Sequence, residues 1–314
     1  MTTHNSFILS VIVSVTDVDV RSVCTNFLYG ECSRLICPRT HVTPVHKYMD
    51  SHCHLDLLST WDKCNQFHME DVSLPTHFSG CITNFAFPDL HYLLQGQLQP
   101  RDLKQKNIFS TIGCHPKKST EFSSLILDMA EELFLDKTHG VVALGECGLD
   151  FSARCSVQLQ KSVFSKQLRL AAGKDIPIVI HCRDAERDTF EMMHQYLCSS
   201  HKIHLHCYTG PIYQLHSFLD SFSNLKVGLT NIITKPQVDS HILNIVREIP
   251  LEKLLLETDS PHFIPGNMYS CKFSTFSHPG QAINVAVKYH HLNSLKLQSV
   301  LDATTKNCKF VYGL

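Results

Sequence analysis

Six residues with metal-binding side chains stand directly after short apolar runs in this sequence. Imidazole nitrogens and carboxylate oxygens are common ligands of zinc, manganese and magnesium. A single histidine in such a position is more often a structural residue, but six residues placed in the same way are hard to explain by core packing. They therefore predict a metal centre. The four histidines are His52, His54, His181 and His206, and the two carboxylates come from Asp50, Glu146, Glu257 and Asp259.

Two of these residues form a His-x-His pair in the stretch YMDSHCHLD. Alternate side chains of a β-strand point to the same side, so His52 and His54 can reach one ion together while Cys53 points away. Asp50 lies in the same stretch, and Glu257 stands beside Asp259 in LLLETDSPH. Taken alone, a His-x-His pair is a weak signal, so the prediction depends on the other ligands joining it.

The elements that must position these residues alternate between short β-rich runs and amphipathic stretches. One amphipathic stretch, residues 158–172, places Phe164, Leu168 and Ala172 on one helical face. Alternating β and α units indicate a parallel sheet. The predicted strands are residues 48–49, 80–82, 108–112, 141–144, 178–180, 203–205, 226–228 and 254–256.

About eight such strands within residues 47–314 fit a closed α/β fold, the (β/α)8 or TIM-like barrel of typically ~250 residues, better than an open doubly wound sheet. The absence of a GxGxxG sequence after any strand makes a dinucleotide-binding fold less favoured. The carboxyl ends of barrel strands meet on one rim, so side chains far apart in the sequence become neighbours there. This rim is the predicted place of the metal centre.

A separate small module is predicted ahead of the barrel. Cys24, Cys32, Cys37 and His41 have the spacing C-x7-C-x4-C-x3-H, and three thiolates with one imidazole can close a tetrahedral structural zinc site. The segment resembles a CCCH zinc finger, whose members commonly bind single-stranded RNA. The alternative is three scattered cysteines and a chance histidine. We divide the chain into residues 1–46, with the finger at about 24–41 and a linker, and residues 47–314.

Composition limits the classes of function. The chain has 314 residues with 28 Lys and Arg against 29 Asp and Glu, so it has no global basic field for nucleic acid. Its 14 cysteines lack the density of a small secreted scaffold, which favours reduced thiols in an intracellular protein of the nucleus or cytoplasm. The apolar run at residues 7–15 is far shorter than the ~20 residues of a membrane span. No membrane association is expected, and the oligomeric state stays open.

The motifs of residues 48–314 resemble the TatD family of metal-dependent deoxyribonucleases, which belong to the amidohydrolase-like barrels. The matching stretches, in family order and spacing, include MDSHCHLD, GCHP, GECGLDF, IVIHCRDA, LHCYTG and ETDSP. The resemblance implies a TIM-like barrel of the metallo-dependent hydrolase type. The finger-like segment ahead of it is a looser match to the larger vertebrate members of the family.

The resemblance also implies a ligand set for two divalent ions. His52, His54, Glu146 and Asp259 would hold one ion, and Glu146 would bridge to a second ion held by His181 and His206. Magnesium or manganese is expected for activity, with zinc a frequent occupant. Two cations can lower the pKa of a water molecule and stabilise the attacking and leaving oxygens of a phosphodiester. Glu146 and Asp259 are the expected catalytic residues, Asp259 as the acceptor of the water's proton.

Substrate contacts are predicted at two positions. His115, in GCHP, matches a family position beside the substrate, and Arg183, in HCRDA, can fork onto a phosphate. His115 could instead be a structural turn residue, and Arg183 could pair with a neighbouring carboxylate. Lys117 and Lys118 follow GCHP where the family often has a small polar, histidine or acidic residue, and they favour a polyanion. The motif cysteines Cys53, Cys114, Cys147, Cys182 and Cys207 are interpreted as small buried filler.

The function predicted from these residues is a metal-dependent nuclease of DNA, RNA or both, exonucleolytic or directed to single strands. An amidohydrolase acting on a small molecule is the first alternative, because the same metal arrangement also hydrolyses amides on this fold. The second alternative is an RNA-binding protein with an inert barrel.

Overall fold

Eight β-strands form the centre of the structure, a computed structural model that describes residues 46–60, 74–75, 77–95, 98–266 and 276–314. The proposed zinc ligands Cys24, Cys32, Cys37 and His41 lie outside the described residues. The strands are β1 Tyr48–Cys53, β2 Phe78–Phe85, β3 Ile108–Ile112, β4 Val141–Asp150, β5 Ile178–Arg183, β6 Ile203–His206, β7 Leu225–Leu229 and β8 Leu254–Leu256.

The strands follow one another in sequence order, β1 to β8, and every neighbouring pair is parallel. Parallel neighbours need crossover connections, which here are mostly helical. The α-helices are α1 Leu55–Thr60, α2 Pro100–Gln105, α3 Ser124–Leu135, α4 Val157–Lys174, α5 Glu186–Tyr196, α6 Ile212–Ser221, α7 Ser240–Glu248, α8 Ile283–Asn293 and α9 Leu297–Tyr312. No helix in the described part of the chain has both the length and the apolar character needed to cross a membrane.

The sheet closes on itself between β1 and the residues that follow β8. The Asp259 amide donates to the carbonyl of His52 at 2.9 Å, and the His54 amide donates to the carbonyl of Ser260 at 2.8 Å. These bonds continue the parallel pairing as a bridge between Cys53 and Ser260. The predicted TIM-like barrel is therefore confirmed, and its closure places His52, His54 and Asp259 side by side.

The end of the barrel where the strands begin is covered by the last helix. Met49, Val142 and Val179, near the starts of β1, β4 and β5, share a buried cluster with Val311 and Tyr312 of α9. Burying these side chains removes apolar surface from water at roughly 25 cal/mol per Å². The last helix thus packs against the strand starts, opposite the rim predicted to carry the metal centre.

All eight predicted strands are present, but several are longer than the sequence indicated. Asp50 and His52 lie inside β1 rather than after it, and Glu146 lies in the middle of β4. His181 likewise belongs to β5. The apolar runs end where a polar residue begins, whereas inside a barrel a strand continues through polar side chains because they face the site.

The predicted face of the fourth helix was wrong at one position. Phe164 and Leu168 of α4 are buried, but Ala172 is exposed and Ala171 takes its place. Ala172 is eight positions after Phe164, which is two helical turns plus ~80°, so it points away from the buried face. Ala171 is seven positions after Phe164, which is close to two full turns, so it returns to that face.

Two buried glutamines on α4 hold the ends of neighbouring strands. The Gln167 side chain accepts from the Cys114 amide at 2.8 Å and donates to the Cys114 carbonyl at 3.1 Å. The Gln160 side chain makes the same pair of bonds with Asp150, at 2.8 and 2.9 Å. A backbone amide and carbonyl are satisfied together at each point, which fixes the chain beside His115 and at the end of β4.

We expect Gln167→Leu to lower the free energy of unfolding by about 2–4 kcal/mol, because it leaves a buried amide and a buried carbonyl of Cys114 without partners. Urea denaturation measures this change. Gln158→Leu is the matched control, since Gln158 is exposed on the first turn of the same helix; it should change the stability by at most about 0.5 kcal/mol. Equal effects of the two substitutions would contradict the role given to Gln167.

Candidate metal centre

The carboxylate of Glu146 lies among five imidazole rings. Its oxygens are 3.3 Å from His54 Nε2, 3.5 Å from His181 Nδ1, 3.7 Å from His52 Nε2, 3.7 Å from His206 Nε2 and 3.8 Å from His115 Nε2. These rings come from β1 and the residue that follows it, from β5 and β6, and from the turn after β3, and the Glu146 side chain is only 3% exposed. Strands far apart in sequence thus direct their polar side chains to one point.

Asp259 joins the same group from the segment after β8. Its Oδ1 atom lies 3.4 Å from His54 Nε2 and 3.7 Å from His52 Nε2, and its Oδ2 atom lies 3.9 Å from His206 Nε2. The rings of His52 and His54 meet at 3.3 Å between their Nε2 atoms, while the Cys53 thiol points away and donates to the carbonyl of Ile82. Both histidines of the His-x-His pair therefore face Asp259 and Glu146 together.

These distances fit side chains that share a cation. Ligand atoms ~2.0–2.2 Å from one ion lie roughly 2.8–3.6 Å from one another at octahedral or tetrahedral angles. Direct hydrogen bonds would be shorter, and the buried atoms Glu146 Oε2 and His181 Nδ1 have no hydrogen-bond partner among the described residues. Three groups at the centre have ligand atoms within 4.8 Å of one another: His52, His54 and Asp259; His52, Glu146 and His206; and His115, Glu146 and His181.

The imidazoles and carboxylates strongly change one another's titration. Burial acts to raise the pKa of Glu146, but the surrounding imidazoles, above all His115, hold it well below its usual range. Burial acts to lower the pKa of His206, but Glu257 and Asp259 raise it to about 9. An anionic carboxylate at the centre is the form that binds a cation.

Outer partners orient three of the rings toward Glu146. His54 Nδ1 donates to the carbonyl of Asn84 at 2.9 Å, which leaves the lone pair on Nε2 facing the centre. His181 places Nε2 3.4 Å from Asp150, and His206 places Nδ1 3.2 Å from Glu257. Such outer carboxylates and carbonyls fix ring orientation and raise ligand basicity.

His115 is oriented differently. The backbone amide of Lys117 donates to His115 Nδ1 at 3.0 Å, so a neutral ring carries its hydrogen on Nε2. Burial, together with His181, lowers the pKa of His115 well below its usual value. The neutral ring therefore presents an N–H donor to the centre instead of a lone pair. It stacks on Phe87 with the ring centroids 5.4 Å apart. This geometry suits a hydrogen bond to a ligand oxygen better than a bond to a metal.

A cleft of about 1050 Å³ opens over these residues, at the upper end of the ~300–1,000 Å³ typical of ligand sites. Lys117 and the exposed Arg183 line it, and so do the rings of Phe87 and Phe263. Lys117 Nζ lies 3.5 Å from Asp150 Oδ2 at the wall of the centre. Lys118 turns the other way, to Asp89 and Glu121 at 3.1 and 2.9 Å, so only one of the two lysines faces the cleft.

All six predicted ligands thus meet at one end of the barrel, and the predicted substrate residues His115 and Arg183 line the same cleft. The sequence reasoning gave no role to Asp150 or His204, and it marked Glu257 only as a carboxylate at a strand end; all three lie behind the ligands. A signal for His204 was present: it alternates with His206 in the strand IHLH, so both side chains point the same way.

The motif cysteines are packing residues. Cys53, Cys114, Cys147 and Cys182 are buried, and Cys207 is partly buried. Burial raises the pKa of the Cys114 and Cys182 thiols to about 12, so both stay protonated at neutral pH. None of the nine described cysteines forms a disulfide.

Asp50 holds the two sides of the barrel seam together. Its carboxylate accepts from the Thr258 amide at 3.0 Å, the Thr258 hydroxyl at 2.6 Å and the His52 amide at 3.1 Å. Asp259, the next residue, has a left-handed φ of 53°, which is uncommon for a residue other than glycine. Burial raises the pKa of Asp50, while its bonds to Thr258 oppose that rise. The hydrogen bonds from Thr258 to Asp50 thus fix the position of Asp259 beside the histidine pair.

Replacing this buried carboxylate by Asp50→Ala should lower the free energy of unfolding by about 3 kcal/mol or more, because three donors lose their acceptor. Thermal and urea unfolding measure the loss. Asp128→Ala, on the exposed face of α3, is the control and should change stability by no more than about 0.5 kcal/mol. A stable Asp50→Ala protein would show that the seam does not depend on this residue.

Three comparisons place the chain among known proteins. It is 32% identical over 289 residues to the human 3'-5' RNA nuclease TATDN2, which covers 88% of this chain and 37% of the human protein. It is 30% identical over 207 residues to the 3'-5' ssDNA/RNA exonuclease TatD of Citrobacter koseri, which covers 66% of this chain and 78% of that protein. The chain thus spans little more than a third of the human relative's length.

The fold is also similar to that of a solved TatD homolog. The crystal structure of YJJV, a TatD homolog from Escherichia coli K12, superposes with a TM-score of 0.71 at 20% sequence identity, covering 85% of this chain and 98% of that chain. The model of the family described as TatD related DNase matches residues 49–313, which include all six predicted ligands. The chain therefore belongs to the TatD related DNase family.

Proposed function

We propose that this protein is a divalent-metal-dependent nuclease that hydrolyses phosphodiester bonds of single-stranded DNA or RNA from the 3′ end. The observation that carries the proposal is the cluster around Glu146, where imidazole nitrogens from four segments approach one buried carboxylate at 3.3–3.8 Å. Both named relatives are described as 3'-5' nucleases, which supports the polarity.

The ligand division that we propose keeps His52, His54, Glu146 and Asp259 for one ion and Glu146, His181 and His206 for a second. His115 is left out because its Nε2 carries a hydrogen. When bound, two divalent cations such as Mg²⁺ or Mn²⁺ lower the pKa of a water molecule and stabilise the attacking and leaving oxygens of a phosphodiester. Zn²⁺ fits the same nitrogen and oxygen donors.

The chain's own groups divide the remaining work. The Asp259 side chain, 12% exposed at the floor of the cleft, can accept the proton of the attacking water. The His115 Nε2–H group can donate to an oxygen of the scissile phosphate, and the Arg183 guanidinium can bind a neighbouring phosphate with two parallel hydrogen bonds.

A single strand suits the rest of the cleft. Phe87 and Phe263 line it together with the apolar side chains of Leu57 and Ile232. Aromatic rings stack on any base, which gives affinity without sequence preference. A duplex keeps its bases stacked in the helix interior, so a strand end with unpaired bases can use these surfaces and an intact duplex cannot.

Glu146→Gln keeps the shape of the side chain but removes the charge that the two ions share. We expect cleavage of 5′-labelled DNA and RNA strands in Mg²⁺ or Mn²⁺ to fall by at least about 10³-fold, with strand binding largely intact. Glu132→Gln, on the exposed face of α3, is the matched control. Chelation by EDTA should silence the wild-type protein. Chelator-resistant cleavage, or full activity of Glu146→Gln, would refute the assignment.

Arg183→Ala should raise the KM for single strands by about tenfold or more, with a smaller change in kcat, because a hydrogen bond to a charged group contributes roughly 1.5–3 kcal/mol. Arg187→Ala, four residues on, is the control: Arg187 is exposed and pairs with Glu191 on α5 at 2.8 Å. Steady-state kinetics at several salt concentrations measure the KM and kcat of both variants. An unchanged KM for Arg183→Ala would remove the predicted phosphate contact.

A further inference from the structure

A row of buried polar side chains runs from the metal centre through the barrel to the last turn of the chain. Glu257 Oε2 lies 3.2 Å from His206 Nδ1 and 2.8 Å from His204 Nε2. His204 Nδ1 lies 2.7 Å from the Tyr312 hydroxyl. All four residues are at most 4% exposed, so water cannot replace the partners of any of them.

The hydrogens of this row can be assigned from its acceptors. Glu257 Oε1 accepts from the Cys207 amide at 2.5 Å, which marks the side chain as an anionic acceptor. His204 Nε2 must carry a hydrogen, since a lone pair there would face the carboxylate at 2.8 Å. A neutral His204 ring then has its lone pair on Nδ1, and the phenol donates to it. The carbonyl of Ser51, at 3.1 Å, is the more distant acceptor for the same hydroxyl.

The same acceptor also orients the ligand. His206 Nδ1 lies 3.2 Å from Glu257 Oε2, so the Nε2 atom on the opposite side of the ring is the one that faces Glu146 and Asp259, at 3.7 and 3.9 Å. Glu257 can orient the His206 ring only if its own carboxylate has a fixed position. The Gly228 backbone packs against that carboxylate closely enough that no Cβ fits there, and His204 holds it from the other side.

We propose that Tyr312, acting through His204 and Glu257, is a positioning residue for the metal ligand His206. The inference rests on the proposed metal centre, though not on the identity of the substrate. Tyr312 ends α9 and lies in the cluster at the strand starts, next to a second cavity of about 800 Å³. The end of the chain is thereby linked to the catalytic rim through the whole depth of the barrel.

The test is retention of Zn²⁺ by the loaded full-length protein in competition with a chelator. Tyr312→Phe removes one hydroxyl and keeps the ring. Zn²⁺ should be held roughly 3- to 10-fold more weakly, a smaller loss than the ~10–100-fold typical when a direct outer partner of a ligand is removed. Tyr289→Phe is the matched control, because the buried Tyr289 hydroxyl donates to the carbonyl of Ile249 at 2.7 Å away from the centre. Its Zn²⁺ retention should match wild type within about twofold.

Two variants of His204 keep the proposal falsifiable if Tyr312→Phe fails to fold. His204→Gln places a side-chain N–H where Nε2 was but removes Nδ1, the atom that contacts the Tyr312 hydroxyl, so Zn²⁺ retention should fall roughly 3- to 10-fold, as in Tyr312→Phe. His204→Leu also removes the contact with Glu257 and should lose more. Equal retention by the Gln and Leu variants would overturn the proposal.

A spectroscopic reading separates positioning from general loosening. In the Zn²⁺-loaded protein with labelled histidines, the His206 Nδ1–H resonance should shift in Tyr312→Phe and stay in place in Tyr289→Phe. An unmoved resonance together with unchanged Zn²⁺ retention in Tyr312→Phe would refute the role of Tyr312. Neither measurement uses nuclease activity. If the protein shows these effects but does not cleave nucleic acid, the role of Tyr312 is supported and the proposed function is refuted.

Discussion

A buried carboxylate is expensive unless charged or polar partners surround it, and the compensation of Glu146 is the constraint on which the arrangement of this protein depends. Five imidazoles approach its oxygens at 3.3–3.8 Å, yet Oε2 has no hydrogen-bond partner among the described residues. These distances are longer than the ~2.7–3.2 Å typical of N–H···O hydrogen bonds and come close to those between ligands that share a cation. A cation would supply the compensation that the side chains alone do not complete, so the burial of Glu146 and the proposed metal centre are parts of one arrangement.

The barrel provides this arrangement by the way it closes. The seam between β1 and the residues after β8 brings Asp259 to the histidine pair, and the grip of Asp50 on Thr258 holds it there. Behind the ligands stands a second layer of acceptors, with Asn84, Asp150 and Glu257 each facing one ring. Rigid partners of this kind let a site keep its geometry before a substrate enters, which reduces the reorganisation needed during the reaction.

Much of this could be predicted from the sequence because barrel strands end at one rim. The alternation of β-rich runs with amphipathic stretches predicted the fold, and the polar residues after those runs predicted which side chains would meet. Strand bounds were less accurate. The run at Tyr48 stops at a polar residue, but β1 continues to Cys53 because Asp50 and His52 face the barrel's polar interior.

The outer layer was harder to predict, since it depends on contacts between residues distant in sequence. Nothing local connects Tyr312 with His204, which lie 108 positions apart. Nor does the sequence reveal that the Lys117 amide would fix the tautomer of His115 or that Lys118 would turn to Asp89 and Glu121. These details follow from the turn after β3 and from side-chain packing, which become visible only once the chain is folded.

The central claim, two cations sharing Glu146, is tested most directly by anomalous X-ray diffraction from crystals of the full-length protein grown with Mn²⁺. The account predicts two anomalous peaks, one on each side of the Glu146 carboxylate, the first ringed by His52, His54 and Asp259 and the second by His181 and His206. A single peak away from Glu146, or no peak at saturating Mn²⁺, would contradict it.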